Sequence, residues 1–152
     1  MFHLLSTSLI SLTLDYNQTL SLISLLYLEC QRSKMSILYL GSNNISDISD
    51  LSEMSEINTL ALHANNISNI SALSGMNDMN ILYLYSNQIS DISDLSGMVN
   101  LTYLYLYNNQ ISDVSPLENL VNLTYLHLAG NNISSISVLS GMINLTTLYL
   151  YS

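Results

Sequence analysis

The chain has 152 residues, 49% of them hydrophobic, and carries two basic residues against eleven acidic ones for a net charge of −9. That length and apolar content fit one domain with a sizeable core and exclude the apolar-poor, charge-rich composition of chains that stay disordered. Arg32 and Lys34 are the only Lys or Arg residues, so phosphates and anionic headgroups would meet no cationic face, and nucleic acid and membrane surfaces are poor partners.

Residues 1–34 read as an irregular N-terminal segment. MFHLLSTSLISLTL has no Lys or Arg before its apolar residues and is broken by Ser and Thr, unlike a secretory signal. One degenerate unit of the repeat described below is legible in Leu9, Leu12, Leu14 and Asn17, with extra residues before the regular array begins. The apolar run LSLISLLYL at 20–28 is about half as long as a membrane span requires, so no membrane insertion is expected. Cys30 is the single cysteine, which excludes an internal disulfide and any multi-cysteine metal site.

From residue 35 to residue 152 a 22-residue period governs the chain, giving one solenoid domain of five full repeats and a truncated sixth. MSILYLGSNNI (35–45), INTLALHANNI (57–67), MNILYLYSNQI (79–89), LTYLYLYNNQI (101–111) and LTYLHLAGNNI (123–133) stand in register, and LTTLYLYS (145–152) begins the next. Leu recurs at 38, 60, 82, 104, 126 and 148, and again at 40, 62, 84, 106, 128 and 150, while Asn recurs at 43, 65, 87, 109 and 131. Period-2 alternation in LTYLYLY predicts a short strand in each unit. One unit cannot bury its own leucines, but stacked units place equivalent residues at the roughly 4.8 Å spacing of a parallel sheet and build a continuous core. Beside the leucines, that core takes Ile45, Ile67, Ile89, Ile111 and Ile133, the Leu column at 51, 73, 95, 117 and 139, and Met54, Met76, Met98, Leu120 and Met142. The asparagines fall where the chain leaves the strand, and a buried amide there can both donate to and accept from neighbouring turns. In the return segments, Ser115-Pro116-Leu117-Glu118 reads as an N-cap, a proline at the first helical position and a reciprocal Glu, with weaker versions at Ser49 and Ser93. The space before the next strand is too short for a full α-helix, so 3₁₀ turns are expected.

The pattern L-x-x-L-x-L-x-x-N-x-I resembles the leucine-rich repeat family. With its continuation ISDISDLSGMVN (89–100) it is similar to the 22-residue class found in bacterial internalins and in a regulatory subunit of protein phosphatase 1. The resemblance covers residues 35–152 and implies an α/β fold: a right-handed solenoid with a parallel β-sheet on the concave face and short 3₁₀ turns on the convex side. It implies a non-catalytic binding module, either an intracellular, phosphatase-regulatory-like scaffold or an internalin-like surface adhesion module. Internalins carry a helical cap before their repeats, and nothing in residues 1–34 matches it. The chain stops just after a strand, so it reads as a piece of a longer array or as a protein with a partner at its end. The compartment stays open, the missing signal favouring the cytoplasm over secretion or the cell surface.

Strand residues pointing away from the core form three columns on the concave face. They read Ile37, Thr59, Ile81, Tyr103, Tyr125, Thr147; then Tyr39, Ala61, Tyr83, Tyr105, His127, Tyr149; then Gly41, His63, Tyr85, Tyr107, Ala129, Tyr151. Nine of the eleven tyrosines fall there, with no Lys, Arg, Asp or Glu among them. Tyrosine offers a large, stiff contact area with a hydroxyl and is enriched at interfaces. Tyr39, Tyr83, Tyr85, Tyr103, Tyr105, Tyr107, Tyr125, His127, Tyr149 and Tyr151 are therefore the candidate protein-binding residues, and another protein is the expected partner. The competing reading is that aromatic residues favour strands and stack on cross-strand neighbours whatever they bind, which would leave the array a structural spacer in a larger protein. The oligomeric state is open.

Chemistry beyond binding has little support in the sequence. Asp47, Asp91 and Asp113 form one column on the turns and Asp50 and Asp94 another, an arrangement in which calcium competes with simple Asx capping, and capping is the better fit. His63 and His127 lack a carboxylate on their face to orient either as a base, and no glycine-rich phosphate loop exists. No enzyme activity, metal or cofactor is expected. Eight N-x-[ST] sequons, starting at Asn17, Asn44, Asn66, Asn69, Asn100, Asn122, Asn132 and Asn144, arise largely from the repeat itself.

Overall fold

Each repeat gives three residues to a strand and then turns away, because alternation of leucine with exposed residues lasts no longer than that before the polar Ser/Asn run. The computed structural model describes the Leu9–Ser11 strand and residues 35–151. Leu12, Leu14 and Asn17 of the degenerate unit, the 20–28 apolar run and Cys30 lie outside the described residues. The strands are β1 (Leu9–Ser11), β2 (Ile37–Tyr39), β3 (Thr59–Ala61), β4 (Ile81–Tyr83), β5 (Tyr103–Tyr105), β6 (Tyr125–His127) and β7 (Thr147–Tyr149). They form one parallel sheet in sequence order. From β2 to β7 every partner is the residue 22 positions on, as in Leu38 beside Leu60 and Leu104 beside Leu126. The β1 register differs from the sequence expectation: Ile10, not Leu12, lies beside Leu38. A two-residue shift keeps the inward and outward phases of a strand, so the hydrophobic pattern alone does not distinguish the two registers.

The core is a stack of identical layers. Leu38, Leu60, Leu82, Leu104 and Leu126 are fully buried, as are the leucines two residues later through Leu106. A column the sequence reading left out is buried with them: Ile48, Ile70, Ile92 and Val114, three residues after the Ile45 column. Burial weakens in the last repeat, where Ile133 is only partly covered and Ile136, Leu148 and Leu150 are exposed, since β7 has a neighbour on one side alone among the described residues.

The asparagine column ties the layers together. The Asn109 amide donates to the carbonyl of Leu106 in its own repeat and to that of Leu84 in the previous one, both at 3.0 Å. Its Oδ1 accepts from the Ile89 N–H at 3.0 Å. Asn65, Asn87 and Asn131 repeat the same three contacts one layer at a time. The residue just before this asparagine sits in left-handed backbone in every full repeat: Ser42, Ala64, Ser86 and Asn108 at φ 59°, 53°, 55° and 55°, and Gly130 at 64°. Only Gly130 is a residue for which that region carries no steric cost.

Among the described residues five 3₁₀ turns line the convex side, at Ser49–Glu53, Ser71–Leu73, Ser93–Leu95, Ser115–Leu117 and Ser137–Gly141. Their caps differ from the sequence expectation. Ser115 opens the turn with Pro116 behind it, but no side-chain cap bond forms at the preceding Val114. Asp113 does the work from outside, its Oδ1 accepting from the Ser115 N–H and its Oδ2 from the Ser115 hydroxyl, both at 2.8 Å. Asp47, Asn69 and Asp91 accept equivalent backbone bonds from Ser49, Ser71 and Ser93. An acceptor two residues ahead reaches the same N–H with a shorter side chain than a reciprocal Glu behind it would need.

Asn109→Leu removes the partners of three backbone groups at once and is expected to lower stability by about 1–3 kcal/mol in chemical denaturation; an unchanged midpoint would contradict the ladder role. Ala64→Gly relieves left-handed strain at the cost of extra unfolded-state freedom, and is expected to raise stability by about 0.5–1 kcal/mol in the same measurement.

Candidate functional site

The 22-residue register places equivalent side chains side by side across the concave face, so aromatic columns become ring stacks. In the third column His63 lies on Tyr85 with centroids 4.5 Å apart and planes 12° apart, and Tyr85 lies on Tyr107 at 4.3 Å and 8°. In the second column Tyr83 lies on Tyr105 at 4.7 Å and 21°. Both stacks then change column. Ala129 leaves no ring for Tyr107 to continue onto, so Tyr107 meets His127 at 4.5 Å, and His127 stacks on Tyr149 at 4.7 Å. Tyr105 in turn meets Tyr125 at 4.7 Å. Nine of the ten candidate residues, all but Tyr39, are thus joined by ring contacts. Tyr39 stands apart, with Ala61 between it and Tyr83 in the column.

His63 belongs to this network although the sequence pattern, which places it in the third concave column, leaves it out of the candidate binding residues. Gly41 is the reason it fits: a Cβ there would fall inside the His63 imidazole. Nδ1 of His63 is buried without a hydrogen-bond partner. The Nδ1 of His127 accepts a long bond from the Ala129 N–H at 3.4 Å. Burial lowers the pKa of both imidazoles, and neither meets a carboxylate to reverse the effect. The phenols move the other way: burial, with the neighbouring hydroxyls adding to it, raises those of Tyr83, Tyr105 and Tyr125, and Tyr107 is pushed up to about 12. Both kinds of shift favour the uncharged forms of these rings.

Exposure divides the rings. Tyr103, Tyr149 and Tyr151 are exposed, Tyr103 at 42% and Tyr151 at 68%, while Tyr39, Tyr83, Tyr85, Tyr105, Tyr107, Tyr125 and His127 are half-buried. Tyr103 has the loosest contact of the central group, 6.2 Å from Tyr125.

The acidic columns lie off this face. The backbone N–H groups of Ser49, Ser93 and Ser115 hold the Asp47, Asp91 and Asp113 carboxyls below the usual carboxylate range. A depression of about 250 Å³ beside Asp47 and Asn69 contains that single carboxylate among serines, an isoleucine and an alanine. Among the described residues no three His, Cys, Asp or Glu side chains come together as metal ligands, and no helix is long and apolar enough to cross a membrane.

A family model described as leucine-rich repeats in two copies matches residues 78–119, 99–141 and 121–152. No curated protein matches. Among solved structures, an internalin (inlF) from Listeria monocytogenes is 34% identical with a TM-score of 0.75, over 76% of this chain and 34% of its own. Internalin C2 (inlC2) of the same organism is 38% identical with a TM-score of 0.75, over 76% of this chain and 51% of its own. The chain thus spans between a third and about half of the length of these two structures. The ectodomain of an Arabidopsis thaliana membrane receptor kinase, solved in complex with CASPARIAN STRIP INTEGRITY FACTOR 2, shares the fold at 24% identity and a TM-score of 0.69, over 77% of this chain and 15% of its own.

A histidine whose pKa is lower folded than unfolded binds fewer protons in the folded state, so its contribution to stability is complete above the unfolded value near 6.5 and is lost as pH falls through the folded value. The thermal midpoint is expected to drop between pH 7 and pH 5, and His63→Phe, which keeps a flat ring over Gly41, is expected to reduce that slope. Equal slopes in the two proteins would remove His63 from the effect.

Proposed function

As the chain belongs to the leucine-rich repeat family and is internalin-like, we propose that it is a non-catalytic scaffold that recognises another protein through its tyrosine-rich concave face. Leucine-rich repeat proteins commonly serve as protein-interaction scaffolds and are generally non-enzymatic. The observation that carries the finer reading is the continuous aromatic network itself, open to solvent and without a charge, on a molecule whose net charge is −9. Contiguous aromatic surface of this kind is uncommon on soluble proteins unless it is used. Phenols bury large area at small entropic cost and keep a hydroxyl for the partner's polar groups. Recognition then rests on shape, stacking and hydroxyl bonds, and charge at most steers approach. Tyr39, Tyr83, Tyr85, Tyr103, Tyr105, Tyr107, Tyr125, His127, Tyr149 and Tyr151 are the contact residues of this reading. Acidic turns and a face without Lys or Arg make nucleic acid a poor ligand.

The stacked rings also stabilise the sheet, which gives the spacer reading its physical content, so the test must separate the two roles. Tyr103 is the useful position because it is exposed and loosely packed. Tyr103→Ser is expected to leave the denaturation midpoint within about 0.5 kcal/mol of the parent while weakening capture of a partner by the immobilised chain at least about tenfold, the scale of an interface hot spot. If the captured proteins and their affinities survive both this change and a folded Tyr83→Ser, Tyr105→Ser, Tyr107→Ser variant, the face is not the binding surface.

A further inference from the structure

We propose that the stacked pair Tyr85 and Tyr107 is a site of oxidative coupling, joined through a carbon–carbon bond into a dityrosine that staples two successive repeats. The two rings have the shortest centroid distance and the smallest tilt on the face, 4.3 Å and 8°, and they stand at equivalent positions of successive repeats. Dityrosine forms between carbons ortho to the hydroxyls, and two rings this close and this nearly parallel hold those carbons a short slide apart. The backbone holds the pair in place from both sides: β4 and β5 run in register, the Leu84 N–H donates to the Tyr105 carbonyl at 2.9 Å, and the Ser86 N–H donates to the Tyr107 carbonyl at 2.9 Å.

Among the described residues the fold shields the methionines from oxidation. Met35, Met54, Met76, Met79, Met98 and Met142 are all at most 5% exposed, which shields their sulfurs from peroxide, since susceptibility follows access. Tyr85 and Tyr107, by contrast, are only half-buried. Cys30 is the chain's lone cysteine, so no disulfide is available to link one repeat to another.

The oxidant is hydrogen peroxide acting through a haem peroxidase. Each phenol gives up one electron and one proton to become a phenoxyl radical, and the two electrons and two protons reduce one peroxide to two waters. The radicals combine at their ortho carbons, and the hydrogens on those carbons then move to the oxygens to restore both aromatic rings. The product is the chain less two hydrogen atoms. The rings must slide from face-to-face to edge-to-edge for this, a motion their solvent-facing side leaves open.

The experiment treats the dilute folded chain with peroxidase and hydrogen peroxide in a Tyr83→Phe, Tyr105→Phe background, which removes the second stacked pair while keeping its rings. Cleavage before aspartate places Tyr85 in the fragment 78–90 and Tyr107 in the fragment 94–112. The expected result is a monomer with dityrosine fluorescence whose two fragments are joined with a loss of two hydrogens. That joint should disappear when Tyr107→Phe is added, and its yield should fall in denaturant, where the stack is gone. Unjoined fragments, a joint that survives Tyr107→Phe, a yield that denaturant leaves unchanged, or coupling solely between chains would each overturn the assignment. Because the readout is a bond within the chain, its outcome is independent of whether the face binds a partner.

Discussion

One side chain per layer holds this solenoid to its period. Each ladder asparagine spends both amide protons and its oxygen on backbone groups that the end of a strand would otherwise leave buried and unpaired, and it divides them between two layers. A buried backbone group without a partner costs about 1–3 kcal/mol, so a repeat one residue longer or shorter would forfeit several such bonds at once. That penalty is the physical reason the 22-residue spacing runs without slip from Asn43 to Asn131. The left-handed residue before each asparagine belongs to the same device, since it turns the amide back under the strand. Serine, alanine and asparagine at those positions accept strain that glycine would avoid, which places the ladder's hydrogen bonds above local backbone comfort.

The aromatic face is a consequence of that register. Where partners are the equivalent residue, a tyrosine repeated at one position is set beside its copy, as Tyr83 is beside Tyr105 and Tyr85 beside Tyr107. Stacked aromatic pairs contribute about 0.5–1.5 kcal/mol each beyond area burial, so the face strengthens the sheet it decorates. The small residues are as informative as the rings. Gly41 makes room for His63 to close one end of the stack, and Ala129 forces Tyr107 sideways onto His127. The network therefore follows a bent path across the columns rather than two straight ladders.

Much of this was legible in the sequence because a repeat of fixed length converts position into geometry. The strands, the leucine and methionine layers, the asparagine column and the nine concave tyrosines all follow from adding 22 to a residue number. What the period does not encode was harder to read. The turn caps sit on Asp47, Asn69, Asp91 and Asp113 rather than on Ser115 and its relatives, because either residue satisfies the same sequence signature and only the bond geometry separates them. The Ile48 column was hidden by the serines and aspartates around it, although its three-residue offset from Ile45 was a usable signal. The place of His63 depends on a glycine one repeat away, and the β1 register depends on a choice between two registers of the same phase.

The division of labour between packing and recognition follows from how much of each ring is already used. Tyr85 and Tyr107 are covered on their faces by neighbours and offer a partner only edges and hydroxyls, so their contribution to the fold is large and their contact area small. Tyr103 and Tyr151 have little stacking to lose and much surface to offer. A partner that packs against the exposed rings leaves the inner stacks intact, and therefore need not break sheet-stabilising contacts in order to bind. The face can in this way be rigid and available at once, since its inner rings fix the geometry in which its outer rings are presented. Rigid presentation lowers the entropic cost of association, which is the advantage a stacked aromatic sheet has over the same tyrosines on a mobile loop.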